Sequence, residues 1–141
     1  MAEFILFLHV FSAIGLGFYL LLPFLAMKLG SLTPAGQEGL ASGVFRGNRI
    51  AQYVLVVQFL TGGYLVSQED YSTAWIVVVV ILFVGSAALA GIMSKPLENL
   101  IGMAKAGQSS EADIDKVKNF STIVAVLLVV IIILMSYPTL I

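Results

Sequence analysis

The chain is divided by four apolar runs that contain no charged residue and are separated by polar segments. Each run reaches the roughly 17–25 residues that a transmembrane helix needs. Strands of a transmembrane β-barrel would be about half as long and would alternate in polarity. The runs are Phe4–Met27, Ile50–Ser67, Ala74–Met93 and Phe120–Ile141. The pattern therefore predicts an all-α, integral membrane four-helix bundle, a single transmembrane domain over 1–141 with spans at about 4–27, 50–67, 74–93 and 118–141.

Composition narrows the class of protein further. Hydrophobic residues make up 60% of the chain and charged residues 11%, whereas a soluble domain has about 25% charged residues. A water-soluble globule of 141 residues could not bury so much apolar surface. With no cysteine the chain has neither disulfides nor a thiolate site, and a net charge of −1 gives no reason to expect a nucleic-acid partner.

The charged residues predict an orientation in the membrane. The short segment between spans two and three carries only Glu69 and Asp70. All seven basic residues lie in the other two loops: Lys28, Arg46, Arg49, Lys95, Lys105, Lys116 and Lys118. The positive-inside rule places those two loops in the cytoplasm and both chain termini outside, with membrane lipids as partners. We expect Arg46 and Arg49 to set topology rather than to bind lipid headgroups.

The first cytoplasmic loop carries a helix start signal. Thr33 is a suitable N-cap and Pro34 a suitable first helical residue. A short helix over Ala35–Phe45 is one interpretation. The glycine repeat Gly39, Gly43 and Gly47 is compatible with a close helix–helix contact. Each glycine destabilises a helix by about 1 kcal/mol, however, so the repeat favours a flexible connector.

The third loop predicts a second amphipathic helix at the inner interface. Pro96 precedes apolar residues at helical spacing, and Gly107 ends the segment. Ser110 and Asp113 then resemble a capping box, which places the start of the fourth helix near Glu111.

His9 is the leading candidate for chemistry, because an ionisable residue inside a span is costly and commonly functional. Neutral imidazole is a ligand for iron, copper or zinc. Ser12 and Gly17 are small residues on the same face, so they predict a groove beside the ring, and Tyr137 lies near the same depth. We predict His9 as the metal ligand and His9, Ser12, Gly17 and Tyr137 as cofactor contacts. The alternatives are a structural hydrogen bond from His9 and an interfacial anchor role for Tyr137.

Gln58 is expected near the middle of the membrane, pointing into the bundle. We predict that it makes an interhelical hydrogen bond rather than a ligand contact. Gln52 lies six residues earlier, about 240° around the helix, and so belongs to a different face.

Two stretches carry a family resemblance. The segment Phe7-Leu8-His9-Val10-Phe11-Ser12-Ala13-Ile14-Gly15-Leu16-Gly17 resembles the opening helix of small bacterial membrane proteins of the CopD-like type. It is also similar, more distantly, to the start of HemJ-like membrane protoporphyrinogen oxidases. Arg49 followed by Thr61-Gly62-Gly63-Tyr64-Leu65 is similar to the second helix of these groups. The resemblance implies a bundle in a bacterial plasma membrane that holds haem or copper, with His9 as ligand.

These observations give a leading function and two alternatives. The leading hypothesis is a protein that binds haem, with copper as the alternative metal, for cofactor handling, sensing or electron transfer. A homodimer could bring two copies of His9 to one iron. We do not expect catalysis, because HemJ-like enzymes carry more polar residues in their spans. The alternatives are a non-catalytic accessory or structural membrane subunit without a cofactor, and a dimeric transporter.

Overall fold

The computed structural model describes residues 1–141 and consists of helices joined by short turns. The helices are α1 (Ala2–Gly15), α2 (Phe18–Lys28), α3 (Pro34–Gln68), α4 (Thr73–Ile92), α5 (Ser94–Lys105) and α6 (Glu111–Ser136), with a 3-10 turn at Leu29–Ser31. Four helical stretches are long and apolar enough to cross a membrane: Ala2–Ser31, Pro34–Gln68, Thr73–Lys105 and Glu111–Ser136. The predicted all-α bundle of four membrane-crossing helices is confirmed, and its architecture is that of a multi-pass membrane protein.

The first span crosses as one helical stretch, as predicted, but it tightens locally at Leu16 and Gly17. The backbone N–H of Gly17 donates to the carbonyl of Ile14 at 3.0 Å, and the N–H of Leu20 donates to the carbonyl of Gly17 at 3.0 Å. These tight i to i+3 bonds separate α1 from α2. A Cβ atom at Gly17 would lie 2.9 Å from the Ile14 carbonyl oxygen, so a larger residue there would force the local backbone to shift.

The loop between spans one and two is helical, and the prediction of a flexible connector was wrong. α3 runs without interruption from Pro34 through the second span, and Thr33 caps it by accepting from the N–H of Gly36 at 3.3 Å. The helix is stabilised by packing despite its glycines, since Ala41 and Val44 are buried in the core. Of the three repeated glycines only Gly47 is in close contact, with the ring of Phe18.

The second loop helix was predicted correctly in type and nearly in length. α5 begins at Ser94 rather than Pro96, and Gly107 follows it with a φ of +75°. The N–H of Gln108 donates to the Met103 carbonyl at 2.9 Å, which is the pattern of a glycine-ended helix. The predicted start of α6 at Glu111 is confirmed, with Ser110 as its cap.

The last helix ends five residues before the predicted end of the fourth span. α6 stops at Ser136, and Tyr137 takes an extended φ of −130°. A residue before proline is disfavoured in the α region, so Pro138 accounts for the end of the helix.

The two ends of the bundle are packed differently. We call the end with the seven basic residues the basic end, and the end with the chain termini and the turn 69–72 the acidic end. At the basic end α2 packs on α6 and α5 packs on α3. Most of the largest core cluster lies there, including Leu29, Val44, Met93, Leu97 and Val117. Toward the acidic end α1 pairs with α3 and α4 pairs with α6, and a cavity separates the two pairs.

Candidate functional site

His9 is held by two side chains of α3. Its Nδ1 lies 3.0 Å from Oγ1 of Thr61, and its Nε2 lies 3.2 Å from Nε2 of Gln58. Gln58 and Thr61 are three residues apart and therefore project from the same face of α3. The predicted interhelical hydrogen bond of Gln58 is present, and its partner is the candidate ligand itself.

The hydrogen-bond partners of the His9 ring favour one of its two neutral tautomers. The Thr61 hydroxyl donates to the Val57 carbonyl at 2.8 Å, so its oxygen accepts from His9 Nδ1–H. The Gln58 amide nitrogen can only donate, so His9 Nε2 accepts. These contacts match a neutral ring with its proton on Nδ1, the tautomer that leaves a lone pair on Nε2.

Ser12 lies behind this pair. Its hydroxyl donates to Oε1 of Gln58 and lies 3.1 Å from the carbonyl oxygen of His9. Ser12 is buried, and it positions Gln58 rather than lining the cavity. The polar chain thus runs from Ser12 through Gln58 and His9 to Thr61.

Gly62 lets α3 approach the His9 ring. A Cβ atom at position 62 would lie 3.1 Å from Cε1 of His9, closer than ordinary van der Waals contact. A Cβ atom at the adjacent Gly63 would have nothing within 4 Å. The two neighbouring glycines therefore differ: one is needed for the position of His9 and the other borders open space.

The His9 ring faces a cavity of about 420 Å³ between the α1–α3 and α4–α6 pairs. Of its 21 lining residues, 15 are hydrophobic. Polar contacts come from His9, Gln58 and Ser136, and the apolar walls include Leu16, Phe59, Trp75, Val79, Phe83, Leu128, Ile131 and Met135. The size lies in the range of roughly 300–1,000 Å³ that small-molecule and cofactor sites occupy.

Trp75 is the only tryptophan of the chain, and it forms part of the cavity wall. Its indole Nε1–H donates to the Leu134 carbonyl at 2.9 Å, which ties α4 to α6. The ring of Tyr71 stacks on it, with centroids 4.5 Å apart. This fixed indole is a spectroscopic reporter for anything that enters the cavity.

The structure brings together two of the four residues predicted as cofactor contacts. His9 and Gly17 line the cavity, and Ser12 supports His9 from behind. Tyr137 is 63% exposed and does not line the cavity, because α6 ends before it and Met135 and Ser136 occupy that position. No group of three or more His, Cys, Asp or Glu side chains could hold a metal ion. Any metal here would depend on His9 with other donors.

Sequence reasoning missed the roles of Thr61 and Trp75. Thr61 could have been found from its spacing to Gln58, since a polar pair at i, i+3 in a span needs a shared partner. Trp75 lies next to the start of the third apolar run, but it is only 2% exposed. Its burial depends on the packing of α4 against α6, which the local sequence does not specify.

A second polar network lies in the core near the basic end. The Tyr19 hydroxyl donates to Oδ1 of Asn48 at 2.8 Å, and Nδ2 of Asn48 donates to the Ala90 carbonyl at 2.9 Å. The same Nδ2 lies 3.4 Å from Oγ of Ser94. The network joins α2, α3 and α4 to the start of α5.

Comparison of the chain with protein-family models, with curated proteins and with solved structures finds no match. The resemblance to CopD-like and HemJ-like proteins therefore stays a prediction that rests on the short motifs around His9 and Thr61.

Proposed function

We propose that the chain binds a haem in the cavity beside His9, with Nε2 of His9 as the iron ligand. The observation that carries the proposal is the hydrogen bonding of His9 at the cavity wall: Nδ1 meets the Thr61 oxygen, and Nε2 meets the Gln58 amide, which a ligand could displace. Bound haem would supply one-electron chemistry, and the chain would serve in cofactor handling, sensing or electron transfer.

The surroundings of His9 suit a metal ligand. A metal-bound histidine generally donates its other ring N–H to a protein acceptor, which fixes the ring and its tautomer. Thr61 provides that acceptor at 3.0 Å. Gln58 would have to leave Nε2 for the iron to bind, and its amide could then face the cavity.

The walls suit the flat apolar body of a porphyrin. Leu16, Phe59, Phe83 and Ile131 are among the residues that would contact it. Met135 lies on the same cavity and offers a thioether as a second soft donor. The acidic end has no basic side chain for the propionates, so apolar contact and the iron–histidine bond would supply the affinity.

A specific observation favours the alternative of a non-catalytic accessory or structural subunit. Both ring nitrogens of His9 already have partners, so the network is complete without a ligand. In that case the four polar side chains would only join α1 to α3, each hydrogen bond contributing about 0.6 kcal/mol.

A titration separates the two functions. Haem added to the detergent-purified protein should produce a Soret band and quench Trp75 fluorescence with the same concentration dependence. His9→Ala should abolish the Soret shift, and free imidazole should restore it by filling the space of the lost ring. Copper(I) titrated in the same way tests the alternative metal.

Tyr137→Phe is the matched control, because Tyr137 lies outside the cavity and the variant should bind like the native chain. Circular dichroism should show that His9→Ala keeps its helical content. If the native chain gives no Soret band with haem and no quenching with haem or copper(I), the structural role is the one supported. If His9→Ala binds haem as the native chain does, His9 is not the ligand.

A further inference from the structure

A separate polar pocket of about 330 Å³ lies between α3 and α5, at the basic end. α3 contributes Arg49, Gln52 and Tyr53 to its walls, and α5 contributes Ser94 and Glu98. The pocket therefore presents a guanidinium and a carboxylate together with neutral polar groups. It shares no residue with the cavity beside His9.

The position of the pocket corresponds to the boundary between membrane and water. Arg49 is the last charged residue of α3 before the apolar run that begins at Ile50. Ser94 directly follows the apolar run of α4, which ends at Met93. Tyr53 lies one turn beyond Arg49 and is 68% exposed. The hydrocarbon chain of a bound molecule can therefore lie along α3 next to the pocket.

The buried network of Asn48 reaches a hydroxyl of the pocket. Asn48 has no exposed surface, and its amide is held by the Tyr19 hydroxyl and the Ala90 carbonyl. Its Nδ2 also donates to Oγ of Ser94 at 3.4 Å. Because the Ser94 oxygen accepts from the protein core, its own O–H is free to donate into the pocket.

We propose that this pocket binds the headgroup of a phospholipid that carries both a phosphodiester and a primary ammonium, that is, phosphatidylethanolamine. Arg49, for which the sequence predicted only a role in topology, lines the pocket, whereas Arg46 does not. It would bind the phosphate oxygens through its forked guanidinium, with Ser94 and Gln52 as further donors. Glu98 would accept from the ammonium group. A purely anionic lipid would meet the Glu98 carboxylate without compensation, so the mixed charge of the pocket favours a zwitterionic headgroup with free N–H donors.

The experiment measures lipid retention by native mass spectrometry after delipidation and addition of defined lipids. The native chain should bind phosphatidylethanolamine at least tenfold more tightly than phosphatidylcholine, whose quaternary ammonium cannot donate. Arg49→Gln should weaken phosphatidylethanolamine binding at least tenfold. Arg46→Gln removes a neighbouring charge that does not line the pocket and should change binding less than twofold.

Glu98→Gln is the second variant, and it changes an exposed side chain that the fold does not need. It should reduce the preference for phosphatidylethanolamine over phosphatidylglycerol at least fivefold, while phosphatidylglycerol binding stays the same or increases. Equal losses in Arg49→Gln and Arg46→Gln would overturn the proposal in favour of general attraction to the basic end.

Soluble phosphoethanolamine distinguishes a free phosphate ester from a lipid. It should compete at least a hundredfold more weakly than the lipid, and competition of equal strength would overturn the lipid assignment. Haem titration of Arg49→Gln should match the native chain, because the two sites share no residue, so failure of either proposal can be recognised without the other.

Discussion

The side-chain nitrogen of Gln58 lies 3.2 Å from Nε2 of His9 and occupies the one ring nitrogen that has a lone pair. Gln58 is in turn held by the Ser12 hydroxyl, so the amide does not rotate without losing two hydrogen bonds. A ligand that binds His9 must displace this amide. The pair therefore controls access to the candidate ligand as well as joining α1 to α3.

Gln58→Leu should raise haem affinity up to about tenfold if haem binds at Nε2. The reason is that binding no longer has to break a hydrogen bond with a net contribution of about 0.5–1.5 kcal/mol. Trp75 quenching during haem titration measures the change. Gln52→Leu is the control, because Gln52 lines the other pocket and should leave affinity unchanged. Lower affinity in Gln58→Leu would show that the amide contacts the ligand instead.

The neighbouring glycines of α3 provide a second comparison. Gly63→Ala should stabilise the protein by up to about 1 kcal/mol, since alanine favours the helix and nothing lies near its Cβ. Gly62→Ala should be less stable than Gly63→Ala by about 1 kcal/mol or more, because its Cβ would press on the His9 ring at 3.1 Å while Thr61 and Gln58 hold that ring. Thermal unfolding in detergent measures both variants. Equal stability would mean that His9 moves freely.

The Tyr19–Asn48 bond should contribute measurably to stability. Tyr19→Phe removes the hydroxyl that donates to Asn48 at 2.8 Å in a fully buried site. We expect a loss of about 0.5–2 kcal/mol, the range found for hydrogen bonds between membrane helices. The same change at the exposed Tyr53 should have no effect on unfolding, and a comparable loss there would point to a general effect of removing tyrosine hydroxyls.

The sequence predicted the elements of the fold better than their packing. The apolar runs, the caps at Thr33 and Ser110 and the helix end at Gly107 are local signals, and the structure has all of them. The continuity of α3 through three glycines was not predictable in this way, because it depends on burial against distant residues of α5. Local propensity is overridden there by tertiary packing.

The candidate site was also predictable only where its residues carry a local signal. His9 could be singled out because one ionisable side chain in an apolar span is conspicuous, and Gly17 because it is small. The pairing of His9 with Thr61 joins residues 52 positions apart and depends on the register between α1 and α3. Tyr137 does not line the cavity, because α6 ends at Ser136 and the residue before Pro138 leaves the helix, so a similar depth to His9 does not bring the two together.

Tyr71 should titrate at higher pH than an ordinary tyrosine. Partial burial against Trp75, and then the negative charge of Glu69, raise the pKa of its phenol. A pKa raised by folding means that the stabilisation is complete below the ordinary value of about 10 and is lost as the pH rises through the folded pKa. Because the chain has five tyrosines, the difference in absorbance at 295 nm between the native chain and Tyr71→Phe follows this titration. Glu69→Gln should move the Tyr71 midpoint toward its ordinary value, and an unchanged midpoint would leave burial as the only cause.

The orientation of the bundle can be tested with single cysteines, because the chain has none of its own. Gln68 at the acidic end and Gln108 at the basic end are both exposed, so neither substitution disturbs the core. If the positive-inside rule holds, Gln68→Cys reacts with a membrane-impermeant maleimide in intact cells and Gln108→Cys reacts only after lysis. The cysteine-free native chain provides the background. The reverse pattern would place His9 in the inner half of the membrane, and any haem bound there would then exchange with the cytoplasmic side.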